Sequence, residues 1–515
     1  MKLTARDLCH SVVLLLAVLA LPAQAQFEGP SLGSGPWVIQ SFEQDYVKAS
    51  IIARGLDHPF GLAFLPGSVT ANNPLGDLLI SERTGKLRLL SNGQLQPDAV
   101  VDLAKVLPME QLFDLKLHPQ FARNGLVYFT YIKTAPNPDG SKDYWVTTAL
   151  GRGRFTGTAF TEVEDVFVAE AWSNNIGGAS SRLHFLPDGT LLFGVSHRID
   201  EEAPQKLDNH IGKILRLKDD GSAPADNPYF AVEGALPEMF TLGNRSVMDF
   251  TTHPVTGAVW EIENGPQGGD EVNILKPATN FGWPVATYGR DYDGTRFSPQ
   301  PWVEGTELPE LFWVPSITVA GLTFYSGDKF PKWKHNLFVT SMIVGRIPGT
   351  GHIVRVVLNE NGEVRREELF KNLKQRFRYI QQGPDQLLYA LTDHSDGVLL
   401  RIEPATAAEF EAATAAGAGS AVTQQVERGG LNDTELFANQ DCRTCHRMRD
   451  ALVGPAYNAV ANRYAMTDAN IALLAGKIIE GSEGVWGETP MAPHPAIARD
   501  TAEQMVRAIL GLTKQ

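Results

Sequence analysis

The feature that most constrains this chain is a β-hairpin pattern that recurs between residues 51 and 403. In each copy an apolar β-run leads through a turn containing Pro, Gly or Asp into a second β-run. The six copies are spaced by 52 to 74 residues and begin at Gly61, Phe113, Arg182, Met248, Leu322 and Tyr379. Such a period is typical of β-propeller blades, whereas a β-sandwich, the alternative, does not need the same hairpin six times. The sequence therefore predicts an all-β, six-bladed β-propeller over residues 40–404.

The first 25 residues have the pattern of an export signal. Lys2 and Arg6 precede an apolar run over residues 12–21, and the segment ends in Ala-Gln-Ala at residues 23–25. A charged start, a short apolar core and an A-x-A end predict a signal peptide over residues 1–25 and a periplasmic protein. A membrane anchor is the weaker alternative because the run is too short to cross a bilayer, and no later segment is suited to cross one.

Charge and cysteine content narrow the possible functions. The chain has a formal net charge of −14, which disfavours binding to nucleic acid or to anionic membranes. Of its three cysteines, Cys9 lies in the predicted leader, so the exported chain keeps only Cys442 and Cys445. Two thiols that close together in an exported protein indicate a dedicated chemical use.

The composition changes after the propeller region. Residues 405–430 are rich in Ala, Gly, Thr and Gln, which is typical of an interdomain linker, although the alanine content also allows part of it to be helical. Residues 431–515 are predicted to form a small all-α domain. Its last helix is expected from Asp500 to Leu510, capped by Asp500 or Thr501, with Ala502, Met505, Val506 and Ile509 on its buried face.

The motif Cys442-Arg443-Thr444-Cys445-His446 is a C-x-x-C-H haem attachment site. Both thiols bond to the haem vinyl groups, and the adjacent His446 is held where its imidazole reaches the iron. The alternatives are a zinc half-site or a redox C-x-x-C pair. Zinc calls for further Cys or His ligands, and the exported chain has no other cysteine. The motif thus predicts one covalent haem c.

The sixth iron ligand is expected well downstream of this motif. Met491 follows Pro490 on a proline-stiffened loop and is the first candidate, with His494 as its rival. A methionine ligand raises the reduction potential of the haem, which suits an electron acceptor. The stretch from Cys442 to Pro455, with Gly484-Val485-Trp486-Gly487 before Met491, resembles small bacterial class I cytochromes c. This resemblance covers residues 431–515.

The propeller region resembles the glucose/sorbosone dehydrogenase family over residues 50–403. The phrases that carry the resemblance are LDHPFGLAF from Leu56, HIGKILRL from His210, GPQGGDE from Gly265, NFGWP from Asn280 and WVPS from Trp313. Members of this family include soluble aldose dehydrogenases that use pyrroloquinoline quinone (PQQ) and calcium. The resemblance implies a PQQ site over the central channel, calcium bound partly by backbone carbonyls, and oxidation of a small molecule such as an aldose.

Several residues match the family's cofactor site. The carbonyls of Gly265 and Pro266 match its calcium-binding loop. Arg376 and Arg378 match an arginine pair that faces the PQQ carboxylates, and two guanidinium groups on one strand end suit that task. Arg245 matches an arginine near the quinone oxygens, and Trp313 an aromatic side chain beside the ring. Ion pairs at the propeller rim are the alternative use for Arg376 and Arg378.

Other positions depart from the family's pattern. The family's base histidine falls at Gly178, or at Asn175 if an insertion is allowed, so the resemblance identifies no catalytic base. Its glutamine falls at Met109, its asparagine at Ser246 and its lysine near Ile343. His184, His197 and His210 are expected to be strand or turn residues rather than replacements for that base.

Two functions are compatible with these features. The first is a periplasmic quinohaemoprotein oxidoreductase that oxidises a sugar, alcohol or aldehyde with PQQ and calcium. It would pass electrons through its haem to a respiratory acceptor. The second is a propeller without PQQ that serves as a binding scaffold for an electron-transfer cytochrome c. The fused cytochrome favours the first, because an acceptor domain implies a donor, and the departures at Met109, Gly178, Ser246 and Ile343 favour the second.

Overall fold

The computed structural model describes residues 28–141, 145–197, 200–415, 454–486 and 493–512, together with Phe437, Cys442, His446 and Met491. The predicted signal peptide, Cys445 and residues 416–430 lie outside this range. The chain separates into two compact units, Met1–Val422 and Thr423–Gln515. No helix among the described residues is both long enough and apolar enough to cross a membrane.

In the described part of the first unit, 25 strands form six antiparallel sheets. The N-terminal strands are β1 (Trp37–Ser41) and β2 (Asp45–Leu56). The first sheet holds β3 (Pro59–Phe64), β4 (Leu78–Glu82), β5 (Lys86–Ser91), β6 (Gln94–Leu95) and β7 (Val101–Asp102). The second holds β8 (Met109–Leu117), β9 (Leu126–Ala135), β10 (Trp145–Phe155) and β11 (Phe160–Val168). The third holds β12 (Leu183–Phe185), β13 (Leu191–Val195) and β14 (Lys213–Leu217).

The remaining sheets follow in chain order. The fourth holds β15 (Val247–Thr252), β16 (Val259–Glu263), β17 (Asp270–Ile274) and β18 (Leu311–Trp313). The fifth holds β19 (Val319–Phe324), β20 (Leu337–Ser341), β21 (Ile353–Asn359) and β22 (Gly362–Leu369). The sixth is completed by the N-terminal strands and has the order β1-β2-β25-β24-β23, with β23 (Phe377–Gln382), β24 (Leu388–Thr392) and β25 (Gly397–Pro404).

These six sheets are the blades of a propeller. The innermost strands β3, β8, β12, β15, β19 and β23 each contact the innermost strand of the next blade, and β23 contacts β3, so that the ring closes. Each of the six predicted hairpins is the first hairpin of a blade. The predicted six-bladed propeller is therefore confirmed. Strand β13 is buried on both faces, which explains its near-continuous apolar run Leu191–Val195.

Apolar side chains hold neighbouring blades together. Six hydrophobic clusters fill the spaces between adjacent blades, one for each pair. The cluster between the fifth and sixth blades includes Trp333 and Tyr325, which have no exposed surface. Because burial of an aromatic side chain removes 150–250 Å² from water, roughly, these clusters supply most of the stabilisation of the ring.

A buried arginine lies on the axis of this ring. Arg182, directly before β12, is 0% exposed, and its Nη1 donates to Oδ1 of Asp114 at 3.1 Å. Its Nε donates to the Met248 carbonyl at 2.9 Å, and Nη2 lies 3.5 Å from the Ala320 carbonyl. The guanidinium also lies over the rings of Phe60 and Tyr379, at 4.3 and 4.7 Å. Arg182 therefore contacts the innermost strand of each of the five other blades.

Five α-helices lie among the described residues. They are α1 (Phe121–Asn124), α2 (Ala407–Ala415), α3 (Tyr457–Arg463), α4 (Asp468–Glu480) and α5 (Arg499–Leu510). Helix α2 occupies the start of the predicted linker, which agrees with the helical alternative there. It packs on the propeller through the Tyr46 and Phe410 rings, 4.9 Å apart, and an ion pair of 2.7 Å between Lys48 and Glu409.

The second unit is helical in its described part. Helix α5 buries the predicted face of Ala502, Met505, Val506 and Ile509. The predicted cap is wrong, because the helix begins one residue earlier. Ala498 is its N-cap and makes no side-chain hydrogen bond, while Asp500 lies inside the first turn, where its charge suits the helix dipole.

Candidate functional site

A cavity of about 1000 Å³ opens in the propeller, and every blade contributes to its wall. The residues predicted for cofactor binding that line it are Arg245, Gly265, Pro266, Arg376 and Arg378. Gly178, Ser246 and Ile343, where the sequence departs from the family's pattern, line it too. The fold thus brings together residues that are as much as 200 positions apart in sequence.

Two of the expectations for this wall are corrected by the structure. Trp313 does not line the cavity: its ring belongs to the hydrophobic cluster between the fourth and fifth blades, with the Arg366 guanidinium 4.4 Å from its centroid. Met109 does not line the cavity, whereas Gln111, two residues later, does. A β-bulge between Met109 and Gln111 shifts the pairing of β8 with β9 by one residue, and bulges redirect side chains in this way.

Arg376 and Arg378 share one buried carboxylate. Oδ2 of Asp393 accepts from Nη2 of Arg376 at 3.1 Å and from Nη2 of Arg378 at 2.6 Å. Arg83 lies 3.8 Å from the same group. Burial alone would raise the pKa of Asp393, but Arg378, the His58 hydrogen bond and the other arginines hold that pKa well below its usual range. Three guanidinium groups against one carboxylate leave a surplus of positive charge.

The whole cavity wall is cationic. Among the described residues that line it, six are arginines and two, Glu201 and Asp291, carry carboxylates. The arginines that sequence reasoning did not place here are Arg83, Arg290 and Arg346. In a chain of net charge −14, this local excess of positive charge indicates an anionic ligand.

The loop from Gly265 to Asp270 is held in one conformation by a buried carboxylate. Asp270, 0% exposed, accepts from the Gly265 N–H at 2.9 Å and from the Ser316 hydroxyl at 2.6 Å. It also accepts from the N–H groups of Ile317 and Thr318, at 2.8 and 2.6 Å. Burial raises the pKa of Asp270 to about 6, against the effect of these donors.

The Gly265 and Pro266 carbonyls are suited to a hard cation. Neither accepts a hydrogen bond from any described residue, and both groups line the cavity. A Cβ at position 265 would lie 2.2 Å from the Gly268 carbonyl oxygen, so the loop can close this tightly only with glycine there. Within the described residues, no three His, Cys, Asp or Glu side chains converge as metal ligands. Oxygen ligands from the backbone are those that calcium accepts.

In the C-terminal unit, His446 is oriented by its surroundings. Its backbone N–H donates to the Cys442 carbonyl at 2.9 Å, which places the two residues one helical turn apart. Its Nδ1 lies 2.8 Å from the Pro455 carbonyl, and a hydrogen bond there leaves Nε2 for a metal. A Cβ at Gly454 would lie 2.5 Å from the ring, so glycine is needed beside it.

The two candidates for the sixth ligand lie near the end of α4. Met491 pairs with Ser482 through both backbone hydrogen bonds, at 2.7 and 3.3 Å. The backbone N–H of His494 donates to the Ile478 carbonyl at 3.0 Å. Cys445 lies outside the described residues, and the assignment of Met491 stays a prediction.

Comparison with known proteins agrees with both units. The family model for glucose/sorbosone dehydrogenase matches residues 56–401. Aldose sugar dehydrogenase YliI of Escherichia coli (strain K12) is 33% identical over 369 residues, which cover 70% of this chain and 93% of that protein. The crystal structure of the soluble aldose sugar dehydrogenase of E. coli in its apo-form superposes with a TM-score of 0.61 at 30% identity, covering 70% of this chain and all of that one.

The C-terminal region matches a different group. Cytochrome c-551 of Ectopseudomonas mendocina is 41% identical over 78 residues, which cover 15% of this chain and 94% of that protein. The fold and the site thus define a sugar dehydrogenase-like propeller fused to a class I cytochrome c. The chain belongs to the glucose/sorbosone dehydrogenase family.

Proposed function

We propose that this protein is a periplasmic quinohaemoprotein oxidoreductase that uses PQQ and calcium at its propeller cavity and a covalent haem c as internal electron acceptor. The substrate would be a sugar, an alcohol or an aldehyde. The observation that carries the proposal is the arginine-rich cavity in an acidic chain. PQQ is a planar quinone with carboxylate groups, and guanidinium groups are the side chains best suited to bind carboxylates.

The residues present fit this cofactor. Arg376 and Arg378 would hold its carboxylates, and Nε of Arg378 is buried without a hydrogen-bond partner. Arg245 would lie near its quinone oxygens, and Nε of Arg245 is likewise buried and unpartnered. The Gly265 and Pro266 carbonyls would bind calcium. When bound, PQQ supplies a hydride acceptor, and calcium polarises its oxygens.

The chain's own residues orient these groups. Asp270 fixes the loop that presents the two carbonyls, and Asp393 fixes the two arginine side chains. In the cytochrome, Cys442 and Cys445 would attach the haem, and His446 and Met491 would bind its iron. The electrons would then pass one at a time to a periplasmic or membrane-bound respiratory acceptor.

A second candidate function is a propeller without PQQ that acts as a scaffold for the cytochrome. Gly178, Ser246 and Ile343 favour it, because they place small or apolar groups in the wall where the family has polar partners. The ion pairs of Arg376 and Arg378 with Asp393 also satisfy part of the positive charge.

Anaerobic reconstitution distinguishes the two functions. The haem-loaded protein is incubated with PQQ and calcium, an aldose or alcohol is added, and haem reduction is followed optically. The oxidoreductase is expected to reduce its haem only when PQQ, calcium and substrate are all present. If PQQ binds but no substrate reduces the haem, the oxidoreductase function is contradicted. If PQQ does not bind at all, the scaffold function is the one that remains.

The haem assignment has its own test. The variant Met491→Ala is expected to lose the weak sulfur-to-iron charge-transfer band of the oxidised haem, because alanine has no thioether. The variant His494→Ala serves as its control and is expected to keep the band. A band that persists in Met491→Ala would rule out Met491 as the ligand.

A further inference from the structure

The cavity contains a carboxylate with no partner. Glu201 lines the wall, and its Oε2 is shut off from solvent without a hydrogen bond. No hydrogen bond or ion pair joins either oxygen of Glu201 to any described residue. A buried carboxylate oxygen left unpartnered costs free energy, so such a group in a ligand cavity indicates a role toward the ligand.

The neighbouring chain holds Glu201 in place. Oδ1 of Asp200 accepts from the N–H groups of Glu202 and Ala203, each at 3.0 Å. The short helix Ala203–Gln205 follows, and the fully buried Lys213 donates to the Ala203 carbonyl at 3.0 Å and the Pro204 carbonyl at 3.1 Å. Glu201 is therefore carried by an anchored segment rather than a loose loop.

The other side chains of the wall that could accept a proton, His197 and Asp291, each take part in a hydrogen bond. Nδ1 of His197 lies 3.1 Å from the Arg245 carbonyl and 3.4 Å from the Ser246 hydroxyl. Oδ1 of Asp291 accepts from the Tyr292 N–H at 2.6 Å. Glu201 differs from both because neither of its carboxylate oxygens makes a hydrogen bond or an ion pair with a described residue.

We infer that Glu201 is the general base of this cavity, in place of the family's histidine, which the resemblance places at Gly178 or, if an insertion is allowed, at Asn175. This inference rests on the proposed oxidoreductase function. The carboxylate of Glu201 would take the proton of the substrate hydroxyl, and bound PQQ would supply the acceptor for the hydride, which is the hydrogen of the adjacent C–H bond with both of its bonding electrons. The C–O bond becomes C=O, the substrate is oxidised by two electrons, and Glu201 returns its proton to solvent.

The charges around Glu201 affect its pKa and therefore the pH range over which it can act as a base. Burial raises its pKa, Arg245 opposes this, and Asp291 and Asp200 add to it. His197, in the same wall, would lower it if protonated. A raised pKa brings a carboxylate closer to the value that an efficient base needs near neutral pH. Since the base must be ionised, the rate is expected to rise with pH through the pKa of Glu201.

The test compares Glu201→Gln with Glu202→Gln. Glu202 is the adjacent glutamate, with its side chain 82% exposed and paired to Lys206, so its change is a matched control outside the cavity. The rate of haem reduction is measured in a single turnover with PQQ and calcium bound, using the aldose that reduces the wild-type haem fastest. Glu201→Gln is expected to lower that rate by about 10²–10⁴-fold, the usual contribution of a general base, while Glu202→Gln leaves it unchanged.

Two readouts do not depend on turnover. Titration calorimetry is expected to show equal PQQ affinity in both variants, because glutamine preserves shape and removes only the base. Infrared difference spectra of the cofactor-free protein are expected to show a carboxyl band, absent from Glu201→Gln, that titrates above the usual range of a glutamic acid.

The outcomes separate the two hypotheses. A Glu201→Gln protein that reduces its haem at the wild-type rate would overturn the role of Glu201 and leave the proposed function standing. A loss of rate explained by lost PQQ binding would overturn it as well. Wild-type protein that reduces no haem with PQQ and calcium bound would overturn the proposed function and the role of Glu201 together.

Discussion

Arginine has opposite uses at two levels of the same propeller. On the axis, Arg182 is fully buried, and its guanidinium meets a carboxylate, backbone carbonyls and two aromatic rings. In the cavity, Arg83, Arg376 and Arg378 share the single carboxylate of Asp393. The axial charge is compensated by the protein itself, whereas the cavity charges are compensated only in part. A surplus of charge beside an open space, rather than the presence of arginine, is what indicates a ligand site.

The largest effect expected from this comparison concerns the axis. Arg182→Met should lower the free energy of unfolding of the propeller by about 3–5 kcal/mol, because it leaves the buried Asp114 with only Lys116, 3.7 Å away, as a charged partner. Denaturant unfolding measures this change. The exposed Arg123 has no ion pair among the described residues, so Arg123→Met is the control. Equal stability of the two variants would show that Arg182 does not hold the blades together.

Substitution of the cavity arginines should act mainly on cofactor binding. The double change Arg376→Ala and Arg378→Ala removes two charge-assisted hydrogen bonds of about 1.5–3 kcal/mol each, so PQQ affinity should fall by at least about 100-fold. Calorimetry at saturating calcium measures the affinity, and Arg123→Ala serves as control. Binding that survives the double change would place the cofactor elsewhere.

A pH effect distinguishes Asp249, a buried carboxylate on the innermost strand β15, from ordinary carboxylates. Burial raises the pKa of Asp249 to about 6, although Arg182 and Lys116 lower it, while the ordinary value is 3.8. The folded protein therefore binds this proton more tightly than the unfolded chain does. The contribution is fully present below about pH 4 and is lost as pH rises through about 6, an effect of about 2–3 kcal/mol. The free energy of unfolding, measured by denaturant between about pH 4 and 6, should fall less with rising pH in Asp249→Asn than in the wild type. Parallel curves for the two proteins would refute the role of Asp249.

The smallest expected effect concerns the calcium loop. Asp270→Asn replaces a carboxylate that accepts from four donors with an amide that must point N–H groups at some of them. The Gly265 and Pro266 carbonyls should lose their fixed orientation, and calcium should bind about tenfold more weakly, a cost of ~1.4 kcal/mol. Calcium titration measures the loss, with the exposed Asp293→Asn as control. Unchanged affinity would mean that calcium does not use this loop.

The parts of the structure that could be predicted from the sequence are those that depend on patterns of neighbouring residues. The six hairpins follow from alternating strands and turn residues, and the haem motif needs only five consecutive residues. The buried face of α5 follows from helical spacing, although its cap does not, because Ala498 has no side chain that signals a cap.

The cavity is different because its wall comes from six blades. The bulge at Met109 and Gln111 moves a side chain without leaving a mark in the sequence. Trp313 resembles a cofactor contact in its motif, yet packing against Leu311 and its neighbours holds it in the cluster between blades. Glu201 follows the end of β13 by six residues, and a run of acidic residues at 200–202 was its only signal.

The sixth blade has a consequence for the folding of the chain. Strand β2 pairs with β25 over eight residue pairs, so the second strand and the last strand of the propeller are neighbours. Until β25 is in place, β2 has an open edge on the side away from β1, and open edges favour pairing with other chains. A chain truncated before β25 could not seal the ring and would keep this edge exposed. The pairing of β25 with β2, rather than the completion of each earlier blade, is then the step that protects this chain from aggregation.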